Sequence, residues 1–138
     1  MYPEELVAPM RADLTEVGFN ELKSAQEVTN HLENQKGTSL IVINSVCGCA
    51  AGSARPGVKL ALDQSTKKPS HLATVFAGVD RDAVEKTREY TAPYPPSSPS
   101  IALFKDGELV HFVERHHIEG RTAEMIADHL VNVFDEYC

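Results

Sequence analysis

The stretch Ser39-Leu40-Ile41-Val42-Ile43-Asn44-Ser45-Val46-Cys47-Gly48-Cys49-Ala50-Ala51-Gly52 decides how this chain reads. Its first six residues are rich in β-branched and apolar side chains with no period-2 break, the pattern of a strand buried on both faces. The remainder is small and cysteine-bearing, and it leads into a helical pattern around Leu60-Ala61-Leu62 that continues to about residue 67. Pro56 lies inside that pattern and is expected to kink it. Two thiols therefore stand just past the carboxyl end of a buried strand and just before a helix. Open α/β sheets bind ligands and do chemistry at that end of their strands.

Working outward, residues 72–79 read as a second central strand, and Asp80 as the cap of a helix over 81–90. Tyr94-Pro95-Pro96-Ser97-Ser98-Pro99 is a stiff, extended loop. Residues 101–105 and 108–114 flank Asp106-Gly107, the strongest short hairpin signal in the chain. Residues 122–137 are helical, with Ala123, Ile126, Ala127, Leu130, Val133 and Phe134 as a core-facing stripe. Upstream, Ser24-Ala25-Gln26-Glu27 is a capping box that opens a helix ending near Gln35–Lys36, with Gly37 as its terminator. Pro9 and Gly18 bracket a shorter helix with Met10, Leu14 and Val17 on one face. The crossover implies a parallel strand pair, and the hairpin adds antiparallel strands. The expected architecture is α/β, a mixed four-stranded sheet with helices on both faces. The whole of 1–138 forms one domain, with 1–37 as a helical extension.

Composition narrows the function. At 138 residues and 42% hydrophobic the chain is an ordinary globular domain, which excludes disorder and collagen-like repeats. No apolar run approaches the roughly 20 residues of a membrane span. The net charge of −7 argues against a general nucleic-acid binder. Most of the acid falls late: residues 1–69 carry seven basic and eight acidic side chains, residues 70–138 six and twelve. The N-terminus has two early glutamates and no basic region ahead of an apolar one, so no secretory signal is expected and the cytoplasm is the expected compartment. Three cysteines, two of them two residues apart, are too few for a disulfide scaffold and point to thiol chemistry or metal binding.

Helix N-terminal amides and the positive end of the helix dipole both favour thiolate, so Cys47 is the expected nucleophile and Cys49 the second thiol. Residues i and i+2 do not face each other on a helix, so a Cys47–Cys49 bridge would be strained and transient; Gly48 relieves part of that strain. The competing readings are two core-filling thiols, or a zinc site using two of the six histidines. His116-His117 would project apart on a strand, and no paired ligand spacing exists, which disfavours zinc. Pro99 is either an ordinary strand-opening proline or a cis proline that brings the Ser98 backbone beside the thiols. Arg55 reads first as a solvated helix residue and second as an anion contact. His116 reads as a surface histidine and Cys138 as a terminal thiol with no fixed role.

The segment from Asn44 to Gly52, followed by Ala54-Arg55-Pro56, resembles the signature of the bacilliredoxin family, thioredoxin-like proteins with a Cys-Gly-Cys centre. Val7-Ala8-Pro9-Met10-Arg11, Phe76-Ala77-Gly78, Pro96-Ser97-Ser98-Pro99-Ser100 and Ile118-Glu119-Gly120 are similar to family segments too. The resemblance implies a thioredoxin-like three-layer α/β/α sandwich with helices where thioredoxin has its N-terminal strand, and a cis Pro99. It implies a thiol-disulfide oxidoreductase with no bound cofactor. Its substrates would be proteins capped by bacillithiol, a small thiol bearing a malate group, and its partners bacillithiol and its disulfide reductase. Cys47 would take the cap and Cys49 or a second bacillithiol would release it. Gly48, Ser98, Pro99 and Arg55 would meet substrate. A general protein disulfide reductase or isomerase, and a non-enzymatic redox-sensing or metal-binding module, are the alternatives.

Overall fold

The computed structural model describes residues 2–34 and 36–138. The chain runs α1 (Glu4–Thr15), β1 (Asn20–Glu21), α2 (Ala25–Asn34), β2 (Thr38–Asn44), α3 (Arg55–Gln64), β3 (His71–Phe76), α4 (Arg81–Thr91), β4 (Ser100–Lys105), β5 (Glu108–Val113) and α5 (Ala123–Tyr137). The sheet order is β1-β3-β2-β4-β5, with β2 parallel to β3 and antiparallel to β4. Every residue of β2 is buried, as its unbroken apolar pattern requires. Leu40 and Val42 face a core shared with α3 and α5, while Ile41 and Ile43 face the α2 and α4 side. The fold is α/β with helices on both faces.

The sheet has five strands rather than four. The added strand, β1, is two residues long and pairs in parallel with β3 at the sheet edge. It is too short to carry a hydrophobic alternation, which is why the pattern hides it. The N-terminal region thus contributes an edge strand as well as helices.

Pro9 lies inside α1 rather than opening it. The buried face is Val7, Arg11 and Leu14, and a helix that buries Val7 must begin before the proline. Val17 falls beyond the helix and is 39% exposed. The Ser24 hydroxyl accepts from the Glu27 amide at 3.1 Å, half of the expected capping box. The predicted end of that helix at Gln35 lies outside the described residues. β3 stops at Phe76, because the chain turns through Gly78 at φ +85°. Asp80 makes no side-chain cap for α4; both its oxygens accept from Arg11, at 2.8 and 3.1 Å. A guanidinium offers a stronger, bidentate partner than a lone amide.

The distortion near Pro56 takes the form of a π-turn, residues Ala50–Ala54, closed by the Arg55 amide on the Ala50 carbonyl. Proline has no N–H to continue the i→i−4 ladder, and the wide turn absorbs the mismatch one residue earlier. The helix ends at Gln64, short of residue 67. In the hairpin, Asp106 and Gly107 both have positive φ, 50° and 84°, which matches the twist of the paired strands.

Candidate active site

Asn44 ends β2, and its side chain shapes the turn that follows. Its Oδ1 accepts from the Ser45 amide at 2.8 Å, and its Nδ2 donates to the Met10 carbonyl at 3.1 Å. The Ser45 hydroxyl in turn accepts from the Cys47 amide at 3.1 Å. Helical conformation begins at Gly48, so Cys47 occupies the capping position. The Cys47 carbonyl accepts from the Ala50 and Ala51 amides at 3.0 and 3.3 Å. Its Sγ accepts from the Cys49 amide at 3.4 Å, as a cap oxygen would.

The two Sγ atoms are 2.6 Å apart, both as free thiols. The Cys47 thiol is held below its ordinary value, chiefly by the hydrogen bond from the Cys49 side chain. Burial opposes it as the second-largest influence, and the Cys49 amide, the positive charge of Arg115 and the Ala50 amide act in the lowering direction. Burial and the neighbouring Cys47 push the Cys49 thiol the other way. One thiol is a nucleophile in waiting, and the other is a protonated reserve.

The Ser98–Pro99 peptide is cis, as is Ala92–Pro93. Ser98 lines an open depression of about 450 Å³ together with Cys47, Ala77, Gly78, Tyr2 and Arg115. Gly48 is exposed, and a side chain there would meet nothing within 4 Å. Cys47 therefore opens onto a surface bounded by Ser98 of the Pro99 loop and the turn after β3, while Cys49 packs against the core.

Arg55 is not on that surface. It is 3% exposed, and its guanidinium donates to Asp13 Oδ2 at 3.0 Å, Asn44 Oδ1 at 2.9 Å and the Ser45 carbonyl at 2.8 Å. Neither a solvated helix residue nor an anion contact describes it: the π-turn rotates it inward, where it pins the turn that carries Cys47. The exposed guanidinium beside the thiols belongs to Arg115, which the sequence reading passed over. Its amide donates to the Ser97 hydroxyl at 3.3 Å and its Nη1 to the Ser98 carbonyl at 3.2 Å. Glu119 accepts from its Nε.

Cys138 lies at the far end of the sheet. Burial pushes its thiol up, against a hydrogen bond with Thr38 and the charges of Lys105 and Lys67. Thr38 begins β2 and Asn44 ends it, so roughly 20 Å of strand separates Cys138 from the thiol pair. His116 is exposed on a 3₁₀ turn, its ring 4.0 Å from that of His117. Among the described residues no group of three or more His, Cys, Asp or Glu side chains is arranged to hold a metal ion. Nor is any helix long and apolar enough to cross a membrane.

A family model described as disulphide isomerase matches residues 2–138. A bacilliredoxin of Cytophaga hutchinsonii is 67% identical over 136 residues, covering 99% of this chain and 99% of the relative. The chain belongs to the bacilliredoxin family. Bacilliredoxins of Bacillus cereus and Halalkalibacterium halodurans are 51% and 53% identical, each over 99% of this chain and 95% and 94% of their own. Among solved structures, the thioredoxin pre-protein of Schistosoma mansoni has a TM-score of 0.58 at 16% identity, covering 87% of this chain and 98% of that one. The thioredoxin of Fasciola hepatica gives the same score and identity, covering 87% and 100%. These two likenesses show the thioredoxin fold. Membership in the bacilliredoxins makes this protein a thiol-disulfide oxidoreductase.

Proposed function

We propose that this cytoplasmic enzyme removes bacillithiol from S-bacillithiolated proteins. The carrying observation is the asymmetry of the thiol pair: Cys47 is favoured as thiolate and opens to solvent, while Cys49 is held protonated against it. In the first step the Cys47 thiolate attacks the bacillithiol sulfur of the mixed disulfide. The S–S bond between the client's cysteine and bacillithiol breaks, and the client leaves as a thiolate that solvent protonates. Cys47 now carries bacillithiol through a new S–S bond. In the second step the Cys49 thiolate attacks Cys47, expels bacillithiol and closes the internal disulfide. A second bacillithiol performs the alternative release. Reduction of the internal disulfide consumes two bacillithiols, whose own disulfide is returned by its reductase. The protein holds no cofactor of its own in this scheme. The Ser98 backbone and Pro99 flank the incoming disulfide, and exposed Gly48 leaves room for it.

The test uses a bacillithiol-capped model protein with wild type, Cys47→Ser and Cys49→Ser, the adducts followed by mass spectrometry. Cap removal should vanish in Cys47→Ser, and Cys49→Ser should accumulate a Cys47–bacillithiol adduct. Wild-type rates in Cys47→Ser would overturn the assignment. A second reading, a general protein disulfide reductase or isomerase, draws support from the description of the matching family. Equal turnover of a protein disulfide and a bacillithiol mixed disulfide would favour it.

A further inference from the structure

Among the described residues, Tyr2 is the one aromatic side chain lining the depression at Cys47, and no step of the thiol exchange uses it. Local chemistry fixes where it stands. A residue directly before a proline is confined to extended backbone, and Pro3 follows Tyr2. The Pro3 carbonyl accepts from the Leu6 and Val7 amides at 3.0 and 3.4 Å, so the chain enters α1 at once, and Val7 is fully buried. Helix α1 is tied in turn to the segment that carries Cys47, through Asn44 on the Met10 carbonyl and Arg55 on Asp13.

The ring itself rests on Gly78. A Cβ at Gly78 would stand 2.9 Å from Tyr2 Cε2 and 3.3 Å from Cδ2, and φ of +85° independently keeps that position to glycine. One side of the ring is thus held by the turn after β3. The residue is nevertheless 42% exposed, on the depression that Cys47 and Arg115 share. An aromatic ring and a guanidinium are the residue types that carry most of the energy in contacts between polypeptides.

We infer that Tyr2 is a specificity-determining residue for thiol exchange: its open side seats a side chain flanking the capped cysteine of a client polypeptide and favours clients in which that side chain is apolar. The inference rests on exchange with protein-bound cysteines at Cys47, as proposed above, and not on the identity of the cap. An aromatic face offers a charged cap no donor, whereas it gains from covering an apolar side chain. An extended client rises about 3.3 Å per residue, so a side chain one or two positions from the capped cysteine stays within a depression of about 450 Å³.

The test uses two pentapeptides whose central cysteine carries 2-mercaptoethanol in a mixed disulfide, one with leucines on both sides of the cysteine and one with glycines. Each accepts two electrons from the Cys47/Cys49 dithiol, giving the peptide thiol, 2-mercaptoethanol and the internal disulfide. Second-order rate constants are measured for the reduced wild type, Tyr2→Ala and Tyr2→Phe. The leucine-to-glycine ratio should fall about fivefold in Tyr2→Ala and stay within about twofold of wild type in Tyr2→Phe, which keeps the ring. A wild-type ratio in Tyr2→Ala overturns the inference, even if both rates fall, because an equal fall places the ring on the cap or on Cys47. A ratio that falls as far in Tyr2→Phe overturns it too. Wild type that reduces bis(2-hydroxyethyl) disulfide but neither peptide defeats exchange with protein-bound cysteines, and this inference with it.

Discussion

Replacing Arg55 with glutamine separates two ideas of what that arginine does. The structure makes it a pin: it ties α1, through Asp13, to the turn that leaves β2, through Asn44 and the Ser45 carbonyl. The three contacts are unequal. Asp13 is 45% exposed and rehydrates when abandoned, so its bond contributes only about 0.5 kcal/mol. Asn44 Oδ1 keeps the Ser45 amide as a second donor. The Ser45 carbonyl loses its charged donor in a buried setting, which costs ~1–3 kcal/mol. With the packing lost around a side chain 3% exposed, the net destabilisation comes to about 2–4 kcal/mol. At ~2.1 cal/mol/K per residue, a chain of 138 residues loses ~3.5 °C in Tm per kcal/mol, so the expected fall is ~7–14 °C. Calorimetry reads it directly. Thiol exchange should slow for neutral and anionic disulfides alike, because the Cys47 turn loosens for both. A Tm within ~2 °C of wild type, with rate loss confined to anionic disulfides, would refute the pinning argument and return Arg55 to substrate.

Other consequences are open to direct measurement. Gly57→Ala places a Cβ 2.7 Å from Ile126 Cβ and Cγ2, forcing α3 and α5 apart at a cost of ~1–3 kcal/mol, visible as a lower urea midpoint with an unchanged m-value. Burial lowers the His31, His111 and His129 imidazoles, helped by His71 for the first and by His117 and other cationic neighbours for the other two. Below pH ~6.5 the unfolded chain therefore binds more protons at these sites, so stability is full above that pH and declines as pH falls; His111→Gln should flatten the decline of the urea midpoint between pH 7.5 and 5.5. Cys49→Ala removes the largest influence holding the Cys47 thiol down, and ultraviolet titration of the thiolate should move upward, further than in Arg115→Gln. With Cys47 selectively S-methylated, Cys49 should alkylate at lower pH than in the reduced protein; an unchanged profile would show that burial alone sets it.

The legible parts of the fold were those with long or chemically unusual signals. β2 declared itself because burial on both faces leaves no polar alternation, and the Asp106-Gly107 turn because both residues take positive φ. β1 gave no signal in two residues. At the site, Cys47 and Cys49 were legible from their place between strand and helix, whereas the two arginines were not. Arg115 was hidden by register. A regular two-residue hairpin pairs Lys105 with Glu108 and, continued, sets Glu114 opposite Pro99. A bulge between Leu103 and Phe104 adds one residue to β5, so that Ile101 pairs with Val113 and Arg115 comes level with Pro99. Arg55 was hidden by the π-turn, which changes the helical phase over the residues used to judge its facing.

The short spacing of the thiols has its own consequence for the order of events. Because Cys47 caps the helix, the residue two positions on presents both its amide and its thiol to the same sulfur. That adds the amide to the thiol in stabilising the Cys47 thiolate, and the contact between the thiols adds to burial in holding Cys49 protonated. Once Cys47 enters a mixed disulfide its sulfur carries no charge. The Cys49 thiol then loses the acceptor and the repelling anion that raised it, and only burial still opposes ionisation while Arg115 continues to favour it. The resolving thiol is thus suppressed most while the nucleophile is free and eased in part when the nucleophile is occupied, with burial, the largest influence, still in place. Arg115 suits this arrangement because its position does not depend on which sulfur bears the charge: it is held by the Ser98 carbonyl and Glu119, and its field reaches both thiols.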